Sequence, residues 1–285
     1  MKLWIGKCLL LIVFLWSCHA IVPDGDKFVF LSSTIGPIDS GIVAALEEQF
    51  EKETGIRVRH VGAGTGAALK LATKGQIDLV MAHAKSLEEK FIADGFGTER
   101  IPLMYNDFVI VGPAADPAAI KGEKSAAAAL NKIMGKGVKF ISRGDKSGTH
   151  VAETELWKKA GSKPQGAWYV IYEKGSEGNV ATLKYTDRQS AYTVIDRATY
   201  LSLKNSIGLV ILVEGDDALL NFISLIPVNP AKFSRINHRD AMTFVKWLTS
   251  PDKGQLIIRD FGKDKYGAPL FFPNSREWQK AHKQQ

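Results

Sequence analysis

The chain has 285 residues, which is enough for one large domain or two ordinary ones. Its 37 lysine and arginine residues and 30 aspartate and glutamate residues give a formal net charge of +7 at pH 7. The basic residues are scattered, without a basic block or interleaved aromatic residues, so the composition argues against nucleic-acid binding and favours a small anion as the partner.

Residues 1–20 are a predicted signal peptide. Lys2 and Lys7 precede the wholly apolar run 8–16, which has the length of a signal-peptide core and is too short to span a bilayer. No second apolar run in the sequence is long enough to cross a membrane. We therefore expect an exported, periplasmic protein.

Two processing schemes fit this leader. Cleavage after Ala20 is the favoured one, and lipidation of Cys18 is the alternative. Cleavage after Ala20 would remove Cys8 and Cys18, the two cysteines of the chain, together with two lysines. The mature protein would then have a formal charge of +5 and could form no disulfide, so its stability would have to come from core burial.

Three predicted βα units follow the leader. Short β-rich runs alternate with segments of helical periodicity, each of which ends at a glycine. The predicted strands cover residues 28–31, 56–61 and 79–82, and the predicted helices cover residues 42–54, 67–74 and 85–94. This alternation favours a parallel, doubly wound sheet, in which ligands bind at the carboxyl ends of the strands.

The middle of the chain repeats this alternation after an apolar strand at 108–111 and a weakly hydrophobic crossing at 114–129. The predicted strands are residues 138–141, 169–172, 191–195 and 209–213, and the predicted helices are residues 151–160, 177–185 and 197–203. A returning strand at 222–228 and helices at 239–248 and 251–261, the latter opened by Pro251, complete the chain.

We therefore predict an α/β protein of two lobes, each a doubly wound sheet, with a ligand cleft between them. The first lobe is discontinuous and comprises residues 21–109 and 224–285. The second lobe comprises residues 110–223. Three turns rich in glycine and hydroxyl groups then face the cleft, at residues 32–34, 62–66 and 142–149.

The third of these turns joins an apolar strand to a helix. Its Ser147, Gly148 and Thr149 offer backbone N–H groups at the helix N-terminus, where the helix dipole is positive, and the guanidinium of Arg143 lies beside them. This arrangement suits an oxyanion. The alternative is a capped helix with a surface ion pair between Arg143 and Asp145.

The second turn has two interpretations. Its glycines partly match a dinucleotide fingerprint, but the acidic residue expected about twenty positions later is replaced by His83 and Lys85. We favour a small-ligand loop in which Gly64 and Gly66 let backbone N–H groups approach and Thr65 adds a hydroxyl.

The third turn has two further interpretations. Ser147 and His150 could serve as nucleophile and base of an exported serine hydrolase, but the G-x-S-x-G elbow and an orienting acid are missing. The tripeptide Arg143-Gly144-Asp145 occurs in integrin ligands, but here it follows a buried strand. His83 and His150 have no companions at metal-ligand spacing, so they are interpreted as structural, and Asp39 is interpreted as a helix N-terminal charge.

Together these stretches resemble the tungstate-binding component of bacterial tungstate ABC importers, a type II periplasmic binding protein. The resemblance covers most of the chain after the leader. It is most specific at VGAGTGAALKL (61–71), MYNDFVIVGP (104–113), RGDKSGTH (143–150) and LFFP (270–273). The family's first turn carries a TTTS motif, whereas this chain has Ser33-Thr34-Ile35-Gly36 there and lacks two of the hydroxyls.

The resemblance implies a binding protein rather than an enzyme, without cofactor or metal, that acts as a monomer with a membrane permease and an ATPase. It also implies that Arg143 and Thr149 hold the oxyanion, with Ser33 and Thr34 contributing what remains of the threonine motif. A fully deprotonated anion needs donors only, and Asp145 is expected to pair with Arg143. We therefore expect tungstate or molybdate to be preferred, with phosphate or sulfate as the alternative.

Overall fold

The computed structural model describes residues 28–282, so the predicted leader lies outside the described residues. Its first part contains the three predicted βα units. They comprise β1 (Phe28–Ser33), α1 (Ile35–Ser40), α2 (Ile42–Thr54), β2 (Arg57–Gly62), α3 (Thr65–Ala72), β3 (Leu79–Ala82) and α4 (Lys85–Ala93). Strand β1 pairs in parallel with both β2 and β3, as the alternating pattern predicts.

One long strand, β4 (Ile101–Pro113), belongs to both lobes. Its first half pairs with β9 (Leu220–Pro227) and with the short β10 (Phe272–Pro273), and β9 also pairs with β3. The strand order of the first lobe is therefore β2-β1-β3-β9-β4-β10. The pairings of β9 with β3 and β4 are antiparallel, so the sheet is mixed rather than wholly parallel.

The second lobe is built around the other half of β4. Two strands pair with it antiparallel, β7 (Thr193–Asp196) and β8 (Leu209–Val213). A second, parallel pair, β5 (Phe140–Ser142) and β6 (Tyr169–Ile171), lies beside β7, since an isolated bridge joins Phe140 to Tyr192, the residue before β7. The helices of this lobe are α5 (Ala126–Lys136), α6 (Gly148–Lys159), α7 (Asn179–Arg188) and α8 (Arg197–Leu203).

Each lobe has its own apolar core. In the first lobe, one face of the sheet packs against α2, α9 (His238–Thr249) and α10 (Gly254–Asp260), and the other packs against α3 and α4. In the second lobe, Phe140 and Trp157 meet edge to face, with ring centroids 5.4 Å apart. The closing helices thus pack on the first lobe, as expected from the sequence.

Two sequence predictions were wrong in detail. The crossing at 114–129 contains the start of α5, whose alanines favour a helix and whose first turn is capped by the Ser125 hydroxyl. Pro251 does not open α10, because residues 251–253 form a turn and the helix begins at Gly254, where a Cβ would lie 2.6 Å from the Cα of Leu248.

Three short helices were not predicted: α1, α11 (Lys263–Tyr266) and α12 (Arg276–His282). Within residues 28–282, no helix combines the length and apolarity needed to cross a membrane.

Candidate anion-binding site

The first turn lies at the carboxyl end of β1, where Ser33 is in register with Gly62 of β2 and Met81 of β3. The N–H of Thr34 donates to the carbonyl of Met81 (3.2 Å), and the Ser33 hydroxyl donates to the carbonyl of Thr34 (3.3 Å). Thr34 is buried, and its Oγ1 has no hydrogen-bond partner within residues 28–282. A buried hydroxyl without a partner is costly unless a ligand or water satisfies it, so Thr34 fits a ligand contact.

The second turn is held beside the first by a bond from the Ala63 N–H to the Ser33 carbonyl (3.0 Å). Helix α3 begins at Thr65, two residues before the predicted start, with Gly64 as an extended N-cap that provides no side-chain cap. The N–H groups of Thr65 and Gly66 therefore lie in the first turn of a helix, where no intrahelical carbonyl can accept them. They are available to an anion.

The third turn carries α6, which begins at Gly148, three residues before the predicted start. Ser147 is its N-cap, and its Oγ accepts from the N–H of His150 (3.4 Å). The N–H and hydroxyl of Ser147 both donate to Asp145 Oδ1, at 3.1 and 2.6 Å. The donors of Ser147 are thus used within the turn, and the free donors next to it are the N–H groups of Gly148 and of the buried Thr149.

Arg143 lies at the end of β5 with 11% of its side chain exposed. Its Nη2 donates to Asp145 Oδ2 (2.5 Å), its Nη1 donates to Asn179 Oδ1, and its Nε donates to the Gly175 carbonyl (3.3 Å). The predicted pair with Asp145 is therefore present, but it is largely buried rather than a surface pair. Although burial alone would raise it, the pKa of Asp145 is held below its usual value by the bonds from Ser147 and the charge of Arg143.

The strand that precedes Arg143 is hydrogen-bonded to a buried carboxyl group. Glu153 of α6 accepts hydrogen bonds from Ser142 Oγ (2.7 Å), Tyr169 Oη (2.7 Å) and Trp157 Nε1 (3.3 Å). Burial raises the pKa of Glu153 to about 7, although all three bonds favour the ionised form. Sequence reasoning did not identify this residue.

The two lobes touch beside these turns. A Cβ placed on Gly148 of the second lobe would lie 2.7 Å from Cε1 of His83, which follows β3 in the first lobe. Burial lowers the pKa of His83, so the neutral imidazole is favoured at this contact. The N-terminus of α6 therefore faces the strand ends that carry the first two turns.

Sequence reasoning also missed the residues behind Arg143. Asn179 donates through Nδ2 to Asp196 Oδ2 (2.6 Å), and Asp196 caps α8 by accepting from the N–H of Thr199 (2.8 Å). The expectation that Asp39 is a helix N-terminal charge was wrong, because Asp39 lies in the last turn of α1. Burial and the charge of Asp196 raise the pKa of Asp39, so the lobes bring two carboxylates near each other.

The geometry does not support hydrolase chemistry. The Nδ1 of His150 accepts the N–H of Lys146 (2.8 Å), so this nitrogen is not directed at the Ser147 hydroxyl, which donates to Asp145 instead. In the part of the chain that the structure describes, no group of three or more His, Cys, Asp or Glu side chains could hold a metal ion.

Comparison with known proteins gives a consistent result. Residues 25–252 match the family model of the PBP superfamily domain. The chain is 46% identical over 249 residues to the tungstate-binding protein TupA of Peptoclostridium acidaminophilum, covering 87% of this chain and 86% of the relative. It is 38% identical over 228 residues to TupA of Campylobacter jejuni, covering 78% and 83% of the two chains.

Solved structures agree with these relatives. The tungstate-binding protein TupA from Desulfovibrio alaskensis G20 superposes with a TM-score of 0.81 at 42% identity, over 88% of this chain and all of that one. The structure of the tungstate ABC transporter from Geobacter sulfurreducens gives a TM-score of 0.69 at 44% identity, covering 79% and 95% of the two chains.

Proposed function

Because the chain belongs to the periplasmic-binding-protein superfamily and, within it, to the family of tungstate-binding proteins, it is a binding protein rather than an enzyme, and we propose that it captures tungstate or molybdate for an ABC importer. The anion would bind between the lobes. The permease and ATPase of the importer would be its partners, and the binding protein would act as a monomer.

The observation that carries this proposal is the state of Arg143. Each of its two Nη atoms has two N–H groups and donates one of them within the protein, to Asn179 and to Asp145. One N–H on each Nη therefore remains for a ligand. Two N–H groups from one planar guanidinium suit bidentate binding of an oxyanion better than an ammonium group does.

The remaining contacts in the proposed site come from both lobes. The first lobe would supply Thr34 Oγ1, with Ser33 behind it, and the N–H groups of the loop from Gly64 to Gly66. The second would supply Arg143 and the N–H groups of Gly148 and Thr149. Charge-assisted bonds contribute about 1.5–3 kcal/mol each. Since nanomolar binding needs about 12 kcal/mol, half a dozen such contacts would suffice before ordering costs are subtracted.

Selectivity would depend on where acceptors lie. Phosphate near neutral pH often keeps a proton and needs an acceptor, whereas tungstate and molybdate are fully deprotonated. Asp145 is already bound to Arg143 and Ser147, and Asp196 is bound to Asn179 and Thr199. Because both carboxylates already accept hydrogen bonds from protein donors, the site favours tungstate or molybdate over a protonated phosphate.

Phosphate is the alternative ligand because Asp39 offers an acceptor near the proposed site. Its carboxylate lies near Asp196 and accepts no hydrogen bond from any residue in the range 28–282. A protonated phosphate could donate to it if the anion were bound on that side of the cleft.

Isothermal titration of the mature protein with tungstate, molybdate, phosphate and sulfate tests the proposal. We expect nanomolar binding of tungstate or molybdate, at least a hundredfold weaker binding of phosphate, and weaker binding of sulfate. Tighter binding of phosphate would reverse the assignment. Scattering data with and without ligand should show a smaller radius of gyration at saturation, because the lobes close on the anion.

Processing, localisation and lobe boundaries remain proposals. We propose export to the periplasm with cleavage of residues 1–20 after Ala20, which intact-mass measurement of the secreted protein would distinguish from lipidation of Cys18. We also propose the two lobes as residues 21–109 with 220–285, and 110–219, because β9 begins at Leu220 and pairs throughout with first-lobe strands, so a crossing at 223/224 would divide it. The change of pairing partner in β4 between Asp107 and Phe108 supports a boundary near the first of these crossings.

A further inference from the structure

Asn179 lies between the ligand-facing arginine and the body of the second lobe. It is the first residue of α7 and follows Gly178, which has a φ of 104°. Its side-chain oxygen accepts from Arg143 Nη1, and its side-chain nitrogen donates to Asp196 Oδ2 at 2.6 Å. Both ends of the amide are therefore engaged.

The orientation of this amide is fixed by Asp196. The Oδ1 of Asp196 accepts from the N–H of Thr199 (2.8 Å), and its Oδ2 accepts from the Thr199 hydroxyl (2.6 Å). An ionised carboxylate only accepts, so the NH₂ group of Asn179 must face it. A flipped amide would place oxygen against oxygen at Asp196 and N–H against N–H at Arg143.

The fixed amide of Asn179 affects both the orientation and the charge of the Arg143 guanidinium. Its guanidinium has three acceptors, from Gly175, Asn179 and Asp145, on three different nitrogen atoms. Two of the three acceptors are neutral, so they hold the guanidinium plane without cancelling its charge. A carboxylate in the place of Asn179 would hold the plane but add a negative charge beside a bound dianion.

We propose that Asn179 is a positioning residue for anion binding: it does not touch the anion but fixes the guanidinium plane of Arg143 so that one N–H on each Nη points at the ligand. This inference rests on the proposed function, since it assigns how the arginine of that site is held. A bidentate contact depends on orientation. In metal sites, the partners behind a ligating side chain typically change affinity by about ten- to a hundredfold when removed, and we expect a loss of the same order here.

A double-mutant cycle tests it, with tungstate and molybdate as the probes in isothermal titration. Asn179→Ala should weaken binding by about ten- to a hundredfold in the presence of Arg143. In the Arg143→Ala background the same change should have no further effect, because Asn179 acts through Arg143. Equal losses in both backgrounds would overturn the proposal.

A matched control comes from the same lobe. Asn131 also uses both ends of its amide, donating to the Ala160 carbonyl (3.0 Å) and accepting from the Ser162 hydroxyl (2.6 Å). Asn131→Ala should leave affinity unchanged. Asn179→Asp should lower affinity at least as far as Asn179→Ala, because it adds negative charge beside Asp196 and the anion.

A readout without ligand separates this inference from the proposed function. The Nε–H resonance of Arg143 in the apo protein should be sharp in the wild type and broadened or shifted in Asn179→Ala. If the wild-type protein binds none of the four anions, the proposed function fails, and the resonance still decides whether Asn179 orders Arg143. An unchanged Arg143 resonance in Asn179→Ala would refute the positioning role.

Discussion

Replacing Arg143 separates its two tasks, holding the anion and holding the third turn. Arg143→Ala removes the positive charge that the second lobe contributes at the proposed site. It also leaves Asp145 with the two donors of Ser147 alone and leaves the Asn179 oxygen without its partner. Both effects can be given a magnitude.

The loss of affinity should be large. Truncating one side of a desolvated, hydrogen-bonded charge pair costs about 2–5 kcal/mol, which is roughly thirty- to several-thousandfold in Kd. The stability effect should be moderate, at about 1–3 kcal/mol, because Arg143 and Asp145 have only 11% and 13% of their side chains exposed. The sequence alone predicts almost no stability effect, because a polar side chain at the lip of a cleft adds little to the core.

Arg143→Lys keeps the charge but loses the planar fork, so it should recover part of the affinity and part of the stability. The assay is titration with tungstate and molybdate, paired with urea unfolding of the apo protein. Lys158→Ala is the control: Lys158 is exposed on α6, the helix that follows Arg143, so this change should alter neither the affinity nor the stability. Unchanged affinity in Arg143→Ala would refute the ligand role, and unchanged stability would refute the buried pair.

Three further predictions concern other residues. Burial raises the pKa of Glu153 to about 7. The contribution of this carboxyl group to the unfolding free energy is therefore complete at acid pH and is lost as pH rises through 7. The unfolding free energy should fall by about 2–3 kcal/mol between pH 5 and 8, and urea titrations of Glu153→Gln should show a flatter profile. Thr34→Val removes a buried hydroxyl that has no protein partner in residues 28–282. Titration should therefore show about five- to thirtyfold weaker anion binding, while the Tm stays level or rises. A large fall in Tm would contradict the assignment of this hydroxyl to the ligand. Gly148→Ala places a methyl group 2.7 Å from His83, so scattering should show that the two lobes close less fully on the ligand. Adding His83→Ala should restore closure of the lobes. Failure to restore it would mean that the contact with His83 is not the cause.

The sequence predicts well those elements whose signals are local. Strands β3 and β8 and helix α8 have the predicted bounds, because each is a compact run with polar residues or glycine at its ends. The placement of Arg143 at a strand end, next to a helix N-terminus, was predictable for the same reason.

Elements fixed by distant contacts could not be predicted in this way. The first half of β4 contains Pro102 and the polar pair Asn106 and Asp107, and it is a strand because β9 pairs with it from more than a hundred residues away. Asn179 shows nothing unusual locally, since its partners lie 36 residues before it and 17 residues after it. The sequence predicts Ser147 as an anion donor, but in the folded turn the N–H and the hydroxyl of Ser147 both donate to Asp145.

The order in which the elements follow one another along the chain bears on the export that we propose. Strands β4 to β8 form one continuous segment, whereas β1 to β3 need β9, α9 and α10 to complete their sheet and core. Under the proposed export, a chain that enters the periplasm from its N-terminus would deliver β3 long before β9, so β3 would present an open sheet edge and an uncovered apolar face during that interval. The second lobe can therefore finish folding first, and loss of residues from 220 onward would abolish the first lobe while leaving most of the second lobe's contiguous core in place.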